Sequence, residues 1–208
     1  MAFQLTQSEG EFLVKLARKA VRHYLMTGRM LNLPPEIGAK LSQRCGVFVT
    51  INRQADGKRE LRGCIGYPYP TTMLAQAVIE CAWTAATRDP RFLPVSAEEL
   101  DQIIFEVSVL TPPEKIEVDT PKLLPSEIKV GEDGLIIERG SSKGLLLPQV
   151  PVEWGWSGEE FLSHCCIKAG LPPDSWLMKT TEVYRFQAII FEEESPRGRI
   201  KRRKLNRK

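Results

Sequence analysis

The hexapeptide LRGCIG at residues 61–66 places a thiol between two glycines and two positions after an arginine. Glycine inside a strand is typical of places where the backbone bends or another group approaches it closely. In an extended segment Arg62 and Cys64 point to the same face, and a guanidinium near a thiol lowers the thiol pKa. Gly63 and Gly66 would let a substrate approach the sulfur, or expose backbone N–H groups that bind an anion. The hexapeptide therefore predicts a reactive cysteine that handles an anionic substrate.

The same hexapeptide also has a structural interpretation. The functional interpretation expects Leu61 and Ile65 to point to the core, with Cys64 and Arg62 on the opposite face. In the structural interpretation, Cys64 is simply a small buried residue beside glycines that a β-bulge requires. A nucleophilic cysteine usually needs a base, and the chain has two histidines, His23 and His164. Both lie on predicted helices, where a histidine is more often packed or solvated than catalytic.

A second polar motif, DPRF at residues 89–92, follows a predicted helix. Proline disfavours the helical conformation of the residue before it, so Asp89 and Arg91 leave the helix in a bent loop, where functional residues concentrate. Their alternative role is an ion pair that stabilises the loop. Glu106 interrupts an apolar strand and is predicted to be solvated on its less apolar face.

The sequence assigns no cofactor. The vicinal pair Cys165–Cys166 lacks the spacing of a zinc or iron–sulfur site, and neither C-x-x-C nor H-E-x-x-H occurs. No P-loop or dinucleotide-binding glycine motif is present. The cofactor therefore stays unknown, and a structural metal is not predicted.

The composition is that of a soluble globular protein, with 208 residues of which 42% are hydrophobic. No apolar run approaches the roughly 20 residues that cross a bilayer, so no membrane partner is predicted. Five cysteines, an odd number without an N-terminal export signal, predict reduced thiols and a cytoplasmic location.

Positive charge is concentrated at the C-terminus, where residues 197–208 carry eight of the 29 lysines and arginines. The rest of the chain then has a net charge of −5, although the whole chain has +3. A run of like charges buries nothing, so residues 195–208 are predicted to be a disordered tail. The alternative is a nucleic-acid-binding arm, which would bind with a steep dependence on salt. The tail at residues 197–208 is the one segment for which nucleic-acid binding is considered.

Apolar periodicity predicts the elements that position the two motifs. Residues 8–27 form an amphipathic helix with Ser8 and Glu11 as a capping box and Gly28 as its stop. Two strands follow at 46–52 and 59–66.

The turn between these strands is predicted at Asp56-Gly57. A second helix begins with Thr71 or Thr72 as its N-cap and ends near Arg88. Residues 103–110 alternate and predict a half-buried strand.

The second half of the chain repeats this order of elements. Strand-like stretches at 134–139 and 143–149 precede a helix capped by Ser157 and Glu160, and a strand at 183–193 follows. We therefore predict a duplicated β-β-α-β module, at about 46–112 and 134–193, with helix 8–27 packed on both copies. The predicted fold class is α+β, with two-layer antiparallel sheets and helices, and with two subdomains separated by a cleft that could hold a ligand.

These motifs resemble, in order, the AMMECR domain family, named after the Alport syndrome, midface hypoplasia and elliptocytosis region. The matching stretches are LRGCIG (61–66), DPRF (89–92), ELDQIIFEVSVL (99–110), GLIIERGSSKGLLLPQVPVEWGW (134–156) and FLSHCCIKAGL (161–171). The GLLLPQV form is similar to the archaeal branch. The domain is expected to occupy residues 1–194 and to exclude the basic tail.

The resemblance implies a soluble α+β protein with two subdomains and supplies no established reaction. Association of family members with Memo-type proteins and with radical S-adenosylmethionine enzymes implies a role in a modification pathway, and makes both classes candidate partners. The family hallmark falls on residues 61–66, and its second polar motif falls on Asp89, Arg91 and Phe92.

Two functional hypotheses follow. In the first, the chain is an enzyme or enzyme subunit in which Cys64 is a reactive thiolate, Arg62 and Arg91 hold an anionic or nucleotide-like substrate, and Asp89 positions a proton or the arginines. In the second, the chain is a non-catalytic scaffold. It docks a partner enzyme through the cleft or through the predicted rigid loop at 148–156, which carries two tryptophans.

Overall fold

The computed structural model describes residues 4–55 and 58–204. The predicted Asp56-Gly57 turn and the last four residues of the tail lie outside the described residues. Within them, the helices are α1 (Gln7–Thr27), α2 (Leu74–Thr87), α3 (Leu124–Glu127), α4 (Gln149–Trp154) and α5 (Gly158–Lys168). The strands are β1 (Gly46–Ala55), β2 (Lys58–Tyr67), β3 (Ile103–Leu110), β4 (Glu114–Lys115), β5 (Asp133–Arg139), β6 (Ser142–Leu146), β7 (Glu182–Glu193) and β8 (Ile200–Arg203). The fold is α+β with antiparallel strand pairs.

The chain divides into two compact units. The first contains the described residues up to Leu110 together with Ile189–Arg203, and the second contains Thr111–Ala188. In the first unit the strand order is β2-β1-β3-β7, and β8 pairs with β7. Alternate residues Val47, Val49 and Ile51 of β1 are fully buried in one apolar core with residues of α1 and α2.

The ends of the first two helices differ slightly from the sequence prediction. Thr6 is the N-cap of α1 and forms a capping box with Glu9, two residues before the predicted pair. Gly28 ends the helix with a φ of 68°, in the left-handed region that glycine adopts without strain. Helix α2 begins at Leu74 without a side-chain cap, so the prediction of Thr71 or Thr72 as its N-cap is wrong.

Strand β3 is buried on both faces, whereas the sequence predicted a half-buried strand. Ile103, Phe105, Val107 and Val109 belong to the core of the first unit, as their alternation predicted. The other four residues are buried as well, including Glu106, which is 3% exposed. The prediction that Glu106 is solvated is therefore wrong.

A β-bulge changes which residues of the hexapeptide share a face. Ile51 lies opposite Gly63 and Asn52 lies opposite Leu61, so that Arg62 is the extra residue on β2. The bulge moves Leu61 away from the core, and its side chain is 42% exposed. The prediction that Leu61 points to the core is wrong, whereas Ile65 does pack against the core.

Part of the basic tail is a strand and not disordered. Strand β8 pairs antiparallel with β7, and Ile200 is only 5% exposed. Two carboxylates face Lys201, with Glu192 at 3.8 Å and Glu194 at 3.2 Å from its Nζ. Because these acidic neighbours offset the like-charge repulsion, residues 200–203 can pair, and the prediction of disorder is wrong for them.

The second unit is a smaller antiparallel sheet that packs against α5. Its strand order is β4-β7-β5-β6. Leu135 and Ile137 of β5 are buried with Phe161 and Leu162 of α5. The predicted capping box of Ser157 and Glu160 is present at the start of α5.

The stretch 148–156, predicted as a rigid loop, contains helix α4, and the residue that caps its C-terminal end, Gly155, has a φ of 70°. Among the described residues, no helix is long and apolar enough to cross a membrane.

Candidate functional site

The centre of the candidate site is the carboxylate of Asp89, in the turn after α2. Pro90 ends the helix, and the Asp89 side chain is only 2% exposed. Its Oδ2 accepts a hydrogen bond from the backbone N–H of Cys64 at 2.8 Å. Arg91 donates from Nε to Oδ1 at 2.9 Å and from Nη2 to Oδ2 at 2.7 Å, and its backbone N–H also reaches Oδ1 at 3.2 Å. Asp89 therefore ties the loop and Arg91 to strand β2.

These contacts stabilise the charged form of Asp89. The side-chain hydrogen bonds from Arg91 lower the pKa of Asp89 most, and the backbone N–H of Cys64 lowers it further, against the opposing effect of burial. The resulting pKa of Asp89 is about 2, compared with an ordinary value of 3.8. Asp89 is thus an ionised anchor at neutral pH. It accepts from the backbone N–H of Cys64, and among the described residues it accepts no hydrogen bond from the Cys64 thiol.

Arg91 is oriented by Asp89 while part of its guanidinium stays accessible. Its Nη2 also donates to the carbonyl oxygen of Cys64 at 3.3 Å. The Arg91 side chain is 47% exposed. In residues 4–55 and 58–204, its Nη1 has no hydrogen-bond partner. Two N–H donors of a fixed guanidinium are therefore available to a ligand.

The thiol of Cys64 is partly buried, whereas the other four cysteines are buried. Thr50 lies directly across on β1, and its hydroxyl donates to the Cys64 sulfur at 3.3 Å. Burial raises the pKa of the Cys64 thiol, and the carboxylates of Glu106 and Asp89 add to that effect. The Thr50 hydrogen bond and the Arg91 charge act in the opposite direction and are smaller in sum. The expected lowering of the thiol pKa is therefore wrong, because burial outweighs the nearby guanidinium.

Arg62 does not pair with Cys64 as predicted. Its Nε and Nη2 donate to the two carboxylate oxygens of Glu99 at 2.8 and 3.0 Å. Its Nη1 and Nη2 also donate to the carbonyl oxygens of Leu93 and Pro94 at 2.8 and 3.2 Å. Because Arg62 is the bulged residue, its side chain holds the 93–99 segment, and its substrate-binding role stays a prediction.

The two glycines of the hexapeptide make room for the protein's own atoms. A Cβ at position 63 would lie 2.2 Å from the carbonyl oxygen of Ala85 on α2, and one at position 66 would lie 2.3 Å from the ring of Phe48. Gly63 and Gly66 thus allow helix and strand neighbours to approach the backbone. Their role in binding a substrate stays a prediction.

Neither histidine is among the groups that shift the pKa of Cys64. His164 stacks on Trp156, with ring centroids 3.8 Å apart and an angle of 5° between the planes. His23 lies on α1, where its carbonyl oxygen accepts a hydrogen bond from Thr27. Among the described residues, no three His, Cys, Asp or Glu side chains are grouped so that they could hold a metal ion.

Sequence reasoning missed Thr50 and assigned no role to Glu106. Thr50 is one polar residue in an apolar strand, and the strand register alone brings it next to Cys64. Pairing these residues from the sequence would have required the position of the bulge, which one sequence does not reveal.

The fold and the site define an α+β protein with a candidate ligand site at the edge of an antiparallel sheet, where a carboxylate fixes an arginine beside a thiol. The AMMECR1 family model matches residues 14–191. The chain belongs to the AMMECR1 family, as its motifs predicted.

Three similar proteins come from archaea and are of nearly equal length. A protein of Thermococcus gammatolerans is 55% identical over 204 residues, which are 98% of this chain and 99% of the relative. Protein MK0488 of Methanopyrus kandleri is 52% identical over 206 residues, which are 99% of this chain and 98% of the relative. The crystal structure of the uncharacterized protein PH0010 from Pyrococcus horikoshii has a TM-score of 0.93 and 55% identity, covering 97% of this chain and 99% of that one. None of these names states a reaction or a ligand.

Proposed function

We propose that this AMMECR1-family protein binds an anionic or nucleotide-like small molecule at Arg91, beside Cys64, as an enzyme or as the substrate-binding subunit of one. The observation that carries the proposal is the arrangement of Arg91, whose Nε and Nη2 are held by Asp89 while Nη1 is unpaired among the described residues. A guanidinium that is already oriented loses little freedom when it binds a phosphate or a carboxylate. The partner classes that the family resemblance implies, and the modification pathway, are part of this proposal.

Cys64 is the candidate reacting group in this proposal. Because the pKa of Cys64 is raised, the group is a neutral thiol at neutral pH. An anion on Arg91 would oppose deprotonation further, since it offsets the positive charge that favours the thiolate. The thiol therefore begins as a neutral hydrogen-bonding group, and its use as a nucleophile requires a step that removes the proton.

Titration calorimetry with inorganic pyrophosphate and with AMP tests the anion site. We expect Arg91→Gln to weaken binding of at least one probe by about tenfold. The affinity of Arg91→Lys should lie between those of wild type and Arg91→Gln, because a lysine keeps the charge but not the planar donors. Arg53→Gln is the matched control, since Arg53 is an exposed arginine that donates to Gln102. Absence of binding by both probes, or equal binding by Arg91→Gln and wild type, would contradict the proposal.

A second candidate function is a scaffold that docks a partner protein. It is favoured by Trp154, which is 72% exposed. Trp154 stacks on Trp156 at 6.2 Å between centroids, and Trp156 stacks on His164. Exposed aromatic side chains held by stacking are enriched among the residues that dominate protein interfaces.

Trp154→Ala and Cys64→Ser distinguish the scaffold from the enzyme when the binding of each variant to a purified Memo-type protein is measured. A scaffold that docks through this surface would lose affinity by about tenfold or more in Trp154→Ala and keep it in Cys64→Ser. Equal affinity of Trp154→Ala and wild type, in a complex that does form, would exclude docking through Trp154. Ile167→Ala is a matched control, because Ile167 is a 53% exposed apolar residue on α5.

Other expectations from the sequence also belong to this proposal. The two units share the order β-β-α-β and the strand orders β2-β1-β3 and β6-β5-β7, which support the duplication. The cleft between subdomains, the 1–194 domain boundary, the cytoplasmic location and nucleic-acid binding through the tail stay predictions. Strand β8 already uses part of the tail within the fold.

A further inference from the structure

Five cationic side chains line one surface pocket of the first unit. The pocket has a volume of about 280 Å³ and is formed by one face of α1, by residue 100 and by the turn that joins β7 to β8. We call it the α1 pocket, and its lining residues are Lys15, Arg18, Lys19, Arg22, Leu100 and Arg197. Among the described residues, none of the side chains that line it is acidic, although the chain outside the basic tail is net negative.

The base of the α1 pocket is a neutralised ion pair and an apolar side chain. Arg18 donates from Nε and Nη2 to the carboxylate of Glu193, and from Nη1 to the carbonyl oxygen of Leu100 at 2.8 Å. The Arg18 side chain is 14% exposed, and Leu100 is buried. Because Glu193 balances the charge of Arg18, this arginine positions the pocket, and the other four cations are the ones that can bind a ligand.

Three of these four cations lie on α1 and have little counter-charge. Lys19 and Arg22 are exposed, and among the described residues neither side chain has a hydrogen bond or an ion pair. Lys15 lies 3.5 Å from Glu11, and its side chain is 70% exposed. The three are three or four positions apart along the helix, the spacing at which like charges repel each other. An anion bound between them would remove this repulsion.

The fourth cation, Arg197, has an unfavourable backbone conformation. Its φ is 59°, and among the described residues no other residue except glycine has a positive φ. The N–H of Gly198 donates to the carbonyl oxygen of Ser195 at 2.8 Å, so Arg197 is the third residue of a β-turn, where a positive φ favours glycine or asparagine.

The strain at Arg197 has no structural compensation in its ion pair. Its guanidinium lies 2.6 Å from Asp101, but the two side chains are 58% and 67% exposed, and exposed pairs contribute little to stability. Backbone strain of this kind is concentrated at binding and catalytic sites. A strained arginine at a position that suits glycine better indicates that its side chain has a role beyond the turn.

We infer that the α1 pocket binds a compact anion with two or more negative charges, as a phosphate monoester or an inorganic polyphosphate carries. Guanidinium and ammonium groups are the side chains that bind phosphate oxygens. Four cations around one small pocket match such a group better than a nucleic-acid backbone, in which each phosphodiester has a single charge.

The size of the α1 pocket also favours a compact group. Its volume is below the roughly 300–1,000 Å³ that is usual for sites of drug-sized ligands. The pocket shares no residue with the site around Cys64, so the inference does not depend on the proposed function.

Acetylation of the full-length protein by an N-hydroxysuccinimide ester, followed at each lysine by mass spectrometry, tests the inference. The probes are inorganic triphosphate and ribose 5-phosphate, titrated at constant ionic strength. We expect at least one probe to slow the acetylation of Lys15 and Lys19 about threefold or more, because an ammonium group that binds phosphate stays charged and covered. Lys168, which is exposed on α5, is the internal control and should react at an unchanged rate. Protection by triphosphate alone would identify a polyphosphate, and protection by ribose 5-phosphate would identify a phosphate monoester.

Three variants connect this protection with the α1 pocket. Arg22→Gln should raise the probe concentration at half protection of Lys19 about tenfold. Arg29→Gln is the matched control, because Arg29 is an exposed arginine after the end of α1 that does not line the pocket, and it should resemble wild type. Arg197→Gly should weaken protection as Arg22→Gln does, without lowering stability to urea, since glycine adopts the positive φ without strain.

The inference is overturned if neither probe protects Lys19, if protection persists in Arg22→Gln, or if it falls equally in Arg29→Gln. A single-stranded RNA that protects Lys19 at a lower phosphate concentration than either probe would overturn it in favour of a nucleic-acid surface. Arg91→Gln should leave the protection of Lys19 unchanged. The proposed function fails on the Arg91-dependent binding of pyrophosphate or AMP, so the two failures are distinguishable.

Discussion

Glu193→Ala is expected to lower the free energy of unfolding by about 3–5 kcal/mol, the range for breaking a buried ion pair by removing one partner. Glu193 Oε1 accepts from Arg18 Nε at 2.6 Å, and Oε2 accepts from the backbone N–H of Phe105 at 2.9 Å. The Arg18 and Glu193 side chains are 14% and 3% exposed. Alanine would leave a desolvated guanidinium and an unpaired N–H in strand β3. Urea denaturation of both proteins at pH 7 measures the loss, provided that the free energy of unfolding depends on urea concentration with the same slope in both.

The neighbouring residue provides a matched control for this prediction. Glu194 pairs with Lys201 at 3.2 Å, and both side chains are nearly half exposed, so Glu194→Ala should change stability by less than about 1 kcal/mol. Replacing both charged partners by Arg18→Met and Glu193→Leu should recover the part of the loss that comes from the unpaired charge, whereas the N–H of Phe105 stays unpaired. An effect of Glu193→Ala no larger than that of Glu194→Ala would show that the pair is not required.

The helices and most strands could be predicted because their information is local. The apolar spacing of α1 and the alternation of β3 depend on neighbouring residues, and both elements are present within a residue or two of the predicted bounds. The start of α1 was misplaced by two residues because Ser8 and Thr6 are both good caps, and the fold, which is not local information, selects between them.

The geometry of the hexapeptide could not be predicted, because it depends on one bulged residue. A single insertion in the register of β1 and β2 moves Leu61 to the other face and turns Arg62 toward Glu99. Alternation assumes a regular strand, and nothing within LRGCIG states which residue is extra.

The charged pairs of the first unit join residues that are far apart in sequence. Arg203 and Glu106 are 97 positions apart, and Arg18 and Glu193 are 175 apart. Composition shows the charges but not their partners. By contrast, Asp89 and Arg91 are two positions apart, and the sequence already offered their ion pair as an alternative.

Asp89→Asn is expected to lower the free energy of unfolding at pH 7 by about 3 kcal/mol. The variant loses buried hydrogen bonds to a charged group, and the new amide NH2 faces N–H donors that bound the carboxylate. The carboxylate accepts from Arg91 on both oxygens and from the backbone N–H of Cys64. An asparagine amide supplies one acceptor and adds a donor in place of the other. Asp101→Asn is the control, since the Asp101 side chain is 67% exposed in a surface pair with Arg197.

The pH dependence of the stability difference between wild type and Asp89→Asn shows whether Asp89 stabilises the fold through its charge or through its packing. The pKa of Asp89 is lowered from 3.8 to about 2 in the folded protein, so its stabilisation is complete above pH 4 to 5 and is lost as the pH falls toward 2. The variant has no carboxyl at this position. The stability difference between wild type and Asp89→Asn should therefore shrink by about 2 kcal/mol between pH 6 and pH 2. A difference that stays constant over this range would mean that Asp89 acts through packing and not through its charge.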